Sequence, residues 1–307
     1  MRPLAVAGNL NVDLIMGPVA PWPQPGTEVI VPHDDLRVGG AAGNTALAWA
    51  ANGVAFQFAA NIGSDLFGNW LAAAFPLHAP QWPVSPRRTT VSVGVTHPNG
   101  ERTFFTTDGH LRDFTASEVL ATLEGPSLRG GVLLLCGAFV TEALAAGYGD
   151  IFDWAATHGV AVALDTGWPT HGWTEAVRTQ TLAWLARSQF ALLNEVEATS
   201  LTQTADVETA AAALRHAMPP GACVVIKRGA DGALALDASG QSCRIAAQTL
   251  TVRDTIGAGD IFNAGFLAAM AHGRALPDCL RQGVACASRA ISTHPRQYVT
   301  ADQDLTA

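Results

Sequence analysis

Residues 253–266, RDTIGAGDIFNAGF, set one aspartate on each side of a Gly-Ala-Gly turn that runs into an apolar helical pattern. Gly257, Ala258 and Gly259 keep the turn free of bulky side chains. They leave helix-start N–H groups without intrahelical acceptors, and with the helix dipole these make an anion site. Asp260 stands where an aspartate is an ordinary N-cap. A cap alone would account for one carboxylate but not for the glycine cradle. The chemistry that uses both is phosphoryl transfer. Asp260 takes the proton of an attacking hydroxyl while the turn holds the charge building on the moving group. Asp254 is left to orient the turn, a task a bound monovalent cation could share.

Competing motifs fail at single positions. A dinucleotide-binding G-x-G-x-x-G needs glycine at 262, which is Phe262. The chain's one lysine, Lys227, follows Ile226, so no P-loop G-K-[ST] exists, and neither G-x-S-x-G nor H-E-x-x-H occurs.

Bulk properties point to a small ligand. The formal net charge of −8 over 307 residues disfavours nucleic-acid and membrane-surface roles, which need a positive field. With 49% hydrophobic and 14% charged residues the chain can bury a large core. Five cysteines without C-x-x-C spacing read as reduced, buried thiols of a cytoplasmic protein. Asn9, Asn11 and Asp13 interrupt any signal-peptide core. The uncharged run from Val38 to Ser64 reads as a buried helix, a stop at Gly53 and a strand.

The elements that must carry these residues alternate. Strands are expected at 3–9, 54–63, 131–137, 160–167, 190–195, 223–229 and 232–240. Helices are expected at 42–52, 65–75, 141–158, 174–187, 195–201, 206–217 and 259–272. Such alternation predicts one α/β domain with a mostly parallel sheet covered on both faces. Two β-rich stretches, 26–40 and 87–110, interrupt it, the second turning at Pro98-Asn99-Gly100, and together they read as a small inserted lid. In an open parallel sheet, ligands bind beyond the carboxyl ends of strands. Asp13, Asp165, Asn194, Glu195, Lys227 and Gly229 all follow apolar runs.

DTIGAGD followed by IFNAGF, together with GGAAGN at 39–44 and NEVE at 194–197, resembles the PfkB or ribokinase-like family of carbohydrate kinases over nearly the whole chain. The resemblance implies a three-layer α/β/α fold with a β-sheet lid formed by segments near 14–38 and 87–110. It implies transfer of the γ-phosphoryl group of ATP, with Mg2+ and in some relatives K+, to a sugar or nucleoside hydroxyl. By the same resemblance Asp260 is the catalytic base, and Gly257, Ala258 and Gly259 form the anion hole. Asn11, Asp13, Gly39, Gly40 and Asn44 hold the acceptor. Asn194, Glu197, Lys227, Gly229 and Gly232 hold ATP. Glu197 acts on Mg2+ through water, and Asp254 serves the monovalent cation. A homodimer formed through the lid is the implied assembly.

This chain departs from ribokinases proper at Gly137, Ala138 and Phe139, where they present a glutamate to the sugar, and at Lys227, where they carry a small hydroxyl residue. Lys227 either reaches the phosphates or faces solvent. Arg37 and Arg102 are the few basic residues expected near the acceptor, which favours a neutral sugar or nucleoside, and Arg102 is expected to keep a solvated head. Trp168 and Trp173 either stack on a ligand or pack beneath their loop.

Overall fold

The run LAVA at Leu4–Ala7 is buried at every position, and its alternate residues face two different cores. Leu4 and Val6 join one cluster with Val132 and Leu134, while Ala5 and Ala7 join the other with Leu133 and Leu135. A strand covered on both faces has no polar side, so it reads as a continuous apolar run rather than an alternating one.

The computed structural model describes residues 1–98 and 101–299; Asn99 and Gly100, where the hairpin turn is expected, lie outside them. Along the chain the strands are β1 (Leu4–Ala7), β2 (Asn11–Gly17), β3 (His33–Gly39), β4 (Phe56–Ala59), β5 (Ile62–Gly63), β6 (Val84–Ser85), β7 (Val91–Thr96), β8 (Arg102–Thr106), β9 (Val132–Cys136), β10 (Ala161–Asp165), β11 (Phe190–Asn194), β12 (Cys223–Lys227), β13 (Ala233–Leu236) and β14 (Ser242–Ile245). The central sheet has the order β14-β13-β12-β11-β10-β9-β1-β4. It is parallel from β12 to β4 and antiparallel at β13 and β14. Helices Ala41–Ala51, Ala258–Ala271 and Leu276–Ser292 cover one face; Tyr148–His158 and Val207–Ala217 cover the other. The chain leaves β1 in one direction toward β4 and resumes on its other side at β9, so a topological switch point lies between β1 and β9.

The lid is the four-stranded sheet β3-β2-β7-β8. Its register sorts the side chains cleanly by face. Leu36, Leu14, Val93 and Phe105 form a row on one face, and Arg37, Asp13, Ser92 and Thr106 form a row on the other. Asp13, expected just after the first strand, is thus part of the lid, in β2.

His110 is fully buried where the lid joins the body. The Thr90 N–H donates to its Nδ1 at 2.9 Å, so Nε2 carries the proton and donates to the Leu10 carbonyl at 3.1 Å. Burial holds its pKa down near 4, so the ring is neutral.

Some elements differ from expectation. The helix expected at 141–158 is two helices, Glu142–Ala146 and Tyr148–His158, divided at Gly147. Helix Ala116–Thr122 was not expected, although Thr115 and Glu118 make a capping box at its start.

Candidate active site

The helix Ala258–Ala271 begins at Gly257, which has φ 76° and serves as N-cap. That left-handed conformation favours glycine, and a Cβ here would stand 2.7 Å from Nδ2 of Asn44. Asp260 therefore lies third in the helix, within its first turn, and is not its cap, contrary to the simpler reading of the sequence. Its Oδ2 accepts from Asn44 Nδ2 at 2.9 Å, and Thr45 donates to its carbonyl at 3.2 Å. Both partners come from the buried side of helix Ala41–Ala51. Asp260 is half-buried at the floor of a cleft of about 830 Å3. Burial, reinforced by the nearby Asp165 carboxylate, raises its pKa to about 7 against the pull of Asn44 and Lys227.

Among the residues that the sequence offers to an acceptor, Asn11 donates to Asp13 Oδ1 at 2.8 Å, and both are buried. Burial raises the Asp13 pKa to about 6, opposed by Arg37 and Asn11. Gly39 lies against this carboxylate, where a Cβ would approach within 2.1 Å, and Gly40 caps helix Ala41–Ala51. Phe139 lines the cleft beside Gly137.

On the other side, Lys227 neither faces solvent nor stands free. Its Nζ donates to Asp165 Oδ2 at 2.7 Å and to Asn263 Oδ1 at 3.3 Å, and Asn263 donates to the same Asp165 oxygen at 2.5 Å. Burial opposes the charge on Lys227, but Asp165, Glu197 and Asp260 outweigh it and raise its pKa. Asn194 and Glu197 form a reciprocal capping box, each N–H donating to the other's side chain at 2.8 Å. Burial and Asp165 raise the Glu197 pKa. Gly229 and Gly232 line the cleft beyond Lys227, and Val252, Val284, Ala287 and Ile291 give it an apolar wall. Asn263, three residues after Asp260 and hence on the same helix face, belongs to the site although the sequence reading did not single it out.

Asp254 fixes the turn through Oδ1, which accepts from the Ile256 N–H at 2.9 Å. Its Oδ2 accepts from Arg37 Nη1 at 2.5 Å and Arg296 Nη2 at 2.6 Å. Although burial raises it, these guanidinium groups and the Ile256 N–H hold its pKa below the usual value. Two fixed cations already stand at the carboxylate that the resemblance offers to a monovalent cation, so these residues do not fit a K+ ion there. Arg102, exposed on β8, also donates to the Thr255 hydroxyl and so joins the lid to the turn. Trp168 is 53% exposed and lines the cleft; Trp173 packs edge-on against Phe139 at 5.9 Å. Among the described residues no group of three or more His, Cys, Asp or Glu side chains gathers to hold a metal ion, and no helix is long and apolar enough to cross a membrane.

The chain is 44% identical over 71 residues to fructoselysine 6-kinase of Escherichia coli, covering 23% of this chain and 27% of the relative. It is 30% identical over 152 residues to 5-dehydro-2-deoxygluconokinase 1 of Bacillus cereus, covering 46% and 44%. The matches thus span less than half the length of these relatives. The solved structure of Arabidopsis thaliana ribokinase complexed with ribose and ATP superposes with a TM-score of 0.76 at 22% identity, covering 95% of this chain and 93% of that one. That likeness establishes the fold: three layers with a separate small sheet. Residues 1–301 match the family described as pfkB family carbohydrate kinase, and the chain belongs to that family.

Proposed function

We propose that this protein is an ATP-dependent sugar kinase that moves the γ-phosphoryl group to a hydroxyl of a small sugar-derived acceptor. The observation that carries the reading is Asp260: a carboxylate within the first turn of a helix, spared from capping, held by Asn44 and poised near neutral pH beside a glycine turn. The relatives are kinases of fructoselysine and of 5-dehydro-2-deoxygluconate, which supports an acceptor of that kind.

The acceptor docks between Asp13, Asn11 and Asn44, and Asn44 also aims the Asp260 carboxylate. Asp260 accepts the hydroxyl proton as the oxygen attacks in line, and the first-turn N–H groups of 257–259 offset the charge spreading over the transferred group. Lys227, Gly229 and Gly232 hold the phosphate end of the nucleotide, and the apolar wall from Val252 to Ile291 suits its base. The carboxylates of Glu197 and Asp165 at this end fit a hydrated Mg2+ shared with phosphates, since that ion keeps several waters and needs no all-protein cage. When bound, Mg2+ neutralises phosphate charge. Lid closure removes water, with Arg37 and Arg102 drawing the lid toward the 254–255 turn.

ATP turnover on a panel of sugars and nucleosides tests the reading, with Asp260→Asn as control; normal turnover in that variant would sink the base role.

Lid-to-lid homodimerisation is the assembly we favour. Leu36 and Phe105, 45% and 53% exposed, extend the apolar row on the lid's outer face. A monomeric mass by light scattering at micromolar concentration would argue against it.

A further inference from the structure

Beside the cleft, along a second cavity, stand guanidinium groups whose hydrogen-bonding capacity the protein does not use up. Arg37 lies directly across from Asp13 in the β2–β3 register, and Arg296 arrives from the segment after the last helix. Both converge on one oxygen of Asp254. Their side chains are 15% and 9% exposed. Nε and Nη2 of Arg37 and Nη1 of Arg296 are buried without a hydrogen-bond partner. Buried donors are almost always paired in native proteins, and those on a charged group are the most costly to leave unpaired. The other acids nearby are Asp13, held by Asn11, Asp34, which lines the same cavity, Asp35, whose side chain is 44% exposed and lies 3.1 Å from Arg37, and the Tyr298 phenol, which hydrogen-bonds with Arg296.

The place of these donors is specific. Arg296 Nη1 would stand 3.3 Å from a Cβ on Gly257, while Asn44 Nδ2, which holds Asp260, would stand 2.7 Å from it. The free donor thus adjoins the reacting end of the acceptor site. A cavity of about 800 Å3 opens beside the pair, walled also by His33, Arg253 and His294, and it shares Arg102 and Thr255 with the main cleft. Planar guanidinium forks match carboxylate and phosphate oxygens.

We propose that the acceptor carries an anionic group, a carboxylate or a phosphate, which docks on Arg37 and Arg296 while its hydroxyl faces Asp260. The proposal rests on the kinase reading above and names its substrate class. It reverses the neutral acceptor expected from the sequence, where Arg296 stood too far along the chain to be counted.

Calorimetric titration of the full chain without ATP provides the test, using D-fructose as the neutral ligand, D-gluconate and 2-keto-3-deoxygluconate as carboxylates, and fructose 1-phosphate as the phosphate. At least one acidic ligand binds tenfold or more tightly than fructose, and the two anionic arms identify which anion is preferred. Arg37→Met and Arg296→Met each bring the acid-to-neutral affinity ratio toward one, and Arg296→Lys restores part of it. Equal or tighter binding of fructose by the wild type overturns the proposal, as does an acid preference that persists in both methionine variants. Should a methionine variant melt early, the wild-type ratio and the lysine variant decide. ATP turnover on the same ligands separates the two claims. Acid binding without turnover supports the anion site and sinks the kinase reading, whereas turnover of neutral sugars alone does the reverse.

Discussion

Asp260 stands between two charged clusters that leave opposite kinds of hydrogen-bonding capacity unused. On the nucleotide side a single cation, Lys227, is surrounded by the carboxylates Asp165, Glu197 and Asp260. On the acceptor side a single carboxylate oxygen, on Asp254, takes two guanidinium groups. The first cluster has carboxylate to spare and suits a ligand that brings a cation, as a magnesium nucleotide does. The second has N–H donors to spare and suits a ligand that brings an anion. The difference teaches that the kind of hydrogen-bonding capacity left over, carboxylate oxygen or N–H, more than the presence of ion pairs, tells what each of the two clusters awaits.

The comparison can be broken at its midpoint first. Asp260→Asn lowers turnover by about 100- to 10,000-fold, the range for losing a general base, with acceptor binding by calorimetry largely kept. The same variant is more stable than the wild type at pH 8. Asp260 has a folded pKa of about 7, above its unfolded value, so ionising it in the fold is unfavourable, and the advantage of asparagine fades as pH falls from 7 toward 4. Thermal melting across that range checks the sign.

Next come the lone members of each cluster. Lys227→Met and Asp254→Asn each destabilise the fold by about 3–5 kcal/mol, the scale for removing one partner of a buried pair. Added sulfate recovers stability in Asp254→Asn, where two guanidinium groups lose their counterion, and gives no such recovery in Lys227→Met. Equal responses in denaturant titrations would erase the distinction between the two sides.

A gentler probe is pH. kcat/KM rises with pH on a limb near 7 as Asp260 loses its proton, and Lys227→Met moves that limb upward because the lysine stabilises the ionised form. Asn44→Ala moves it the same way by at least as much, since its hydrogen bond lowers the Asp260 pKa more than the Lys227 charge does. A limb that stays in place in both variants would detach Asp260 from these neighbours.

What the sequence made legible was local. The 253–266 turn, the strand runs and the Asn194–Glu197 spacing each carry their signal within a few residues, and the sheet follows because strands buried on both faces have no polar positions. The charge balance was not legible. Arg37, Asp254 and Arg296 meet through the lid, the turn and the segment after the last helix, and Lys227 meets Asp165 and Asn263 from three different elements. No spacing rule encodes such meetings. Asp13 was misplaced for a related reason: β2 continues from β1 after only three residues, and nothing in the sequence marks that the chain has passed from body to lid.

The buried His110 has a mechanical consequence. The chain crosses between body and lid at 8–10, 39–40, 89–90 and 107–110, and one imidazole ring touches three of those crossings, being part of the last and bonded to Leu10 and Thr90. Bending any of those three stalks alone breaks a buried hydrogen bond, at about 1–3 kcal/mol. Turning all of them together breaks none. The ring acts as a rivet, and the motion it leaves easiest is rotation of the whole lid as one plate.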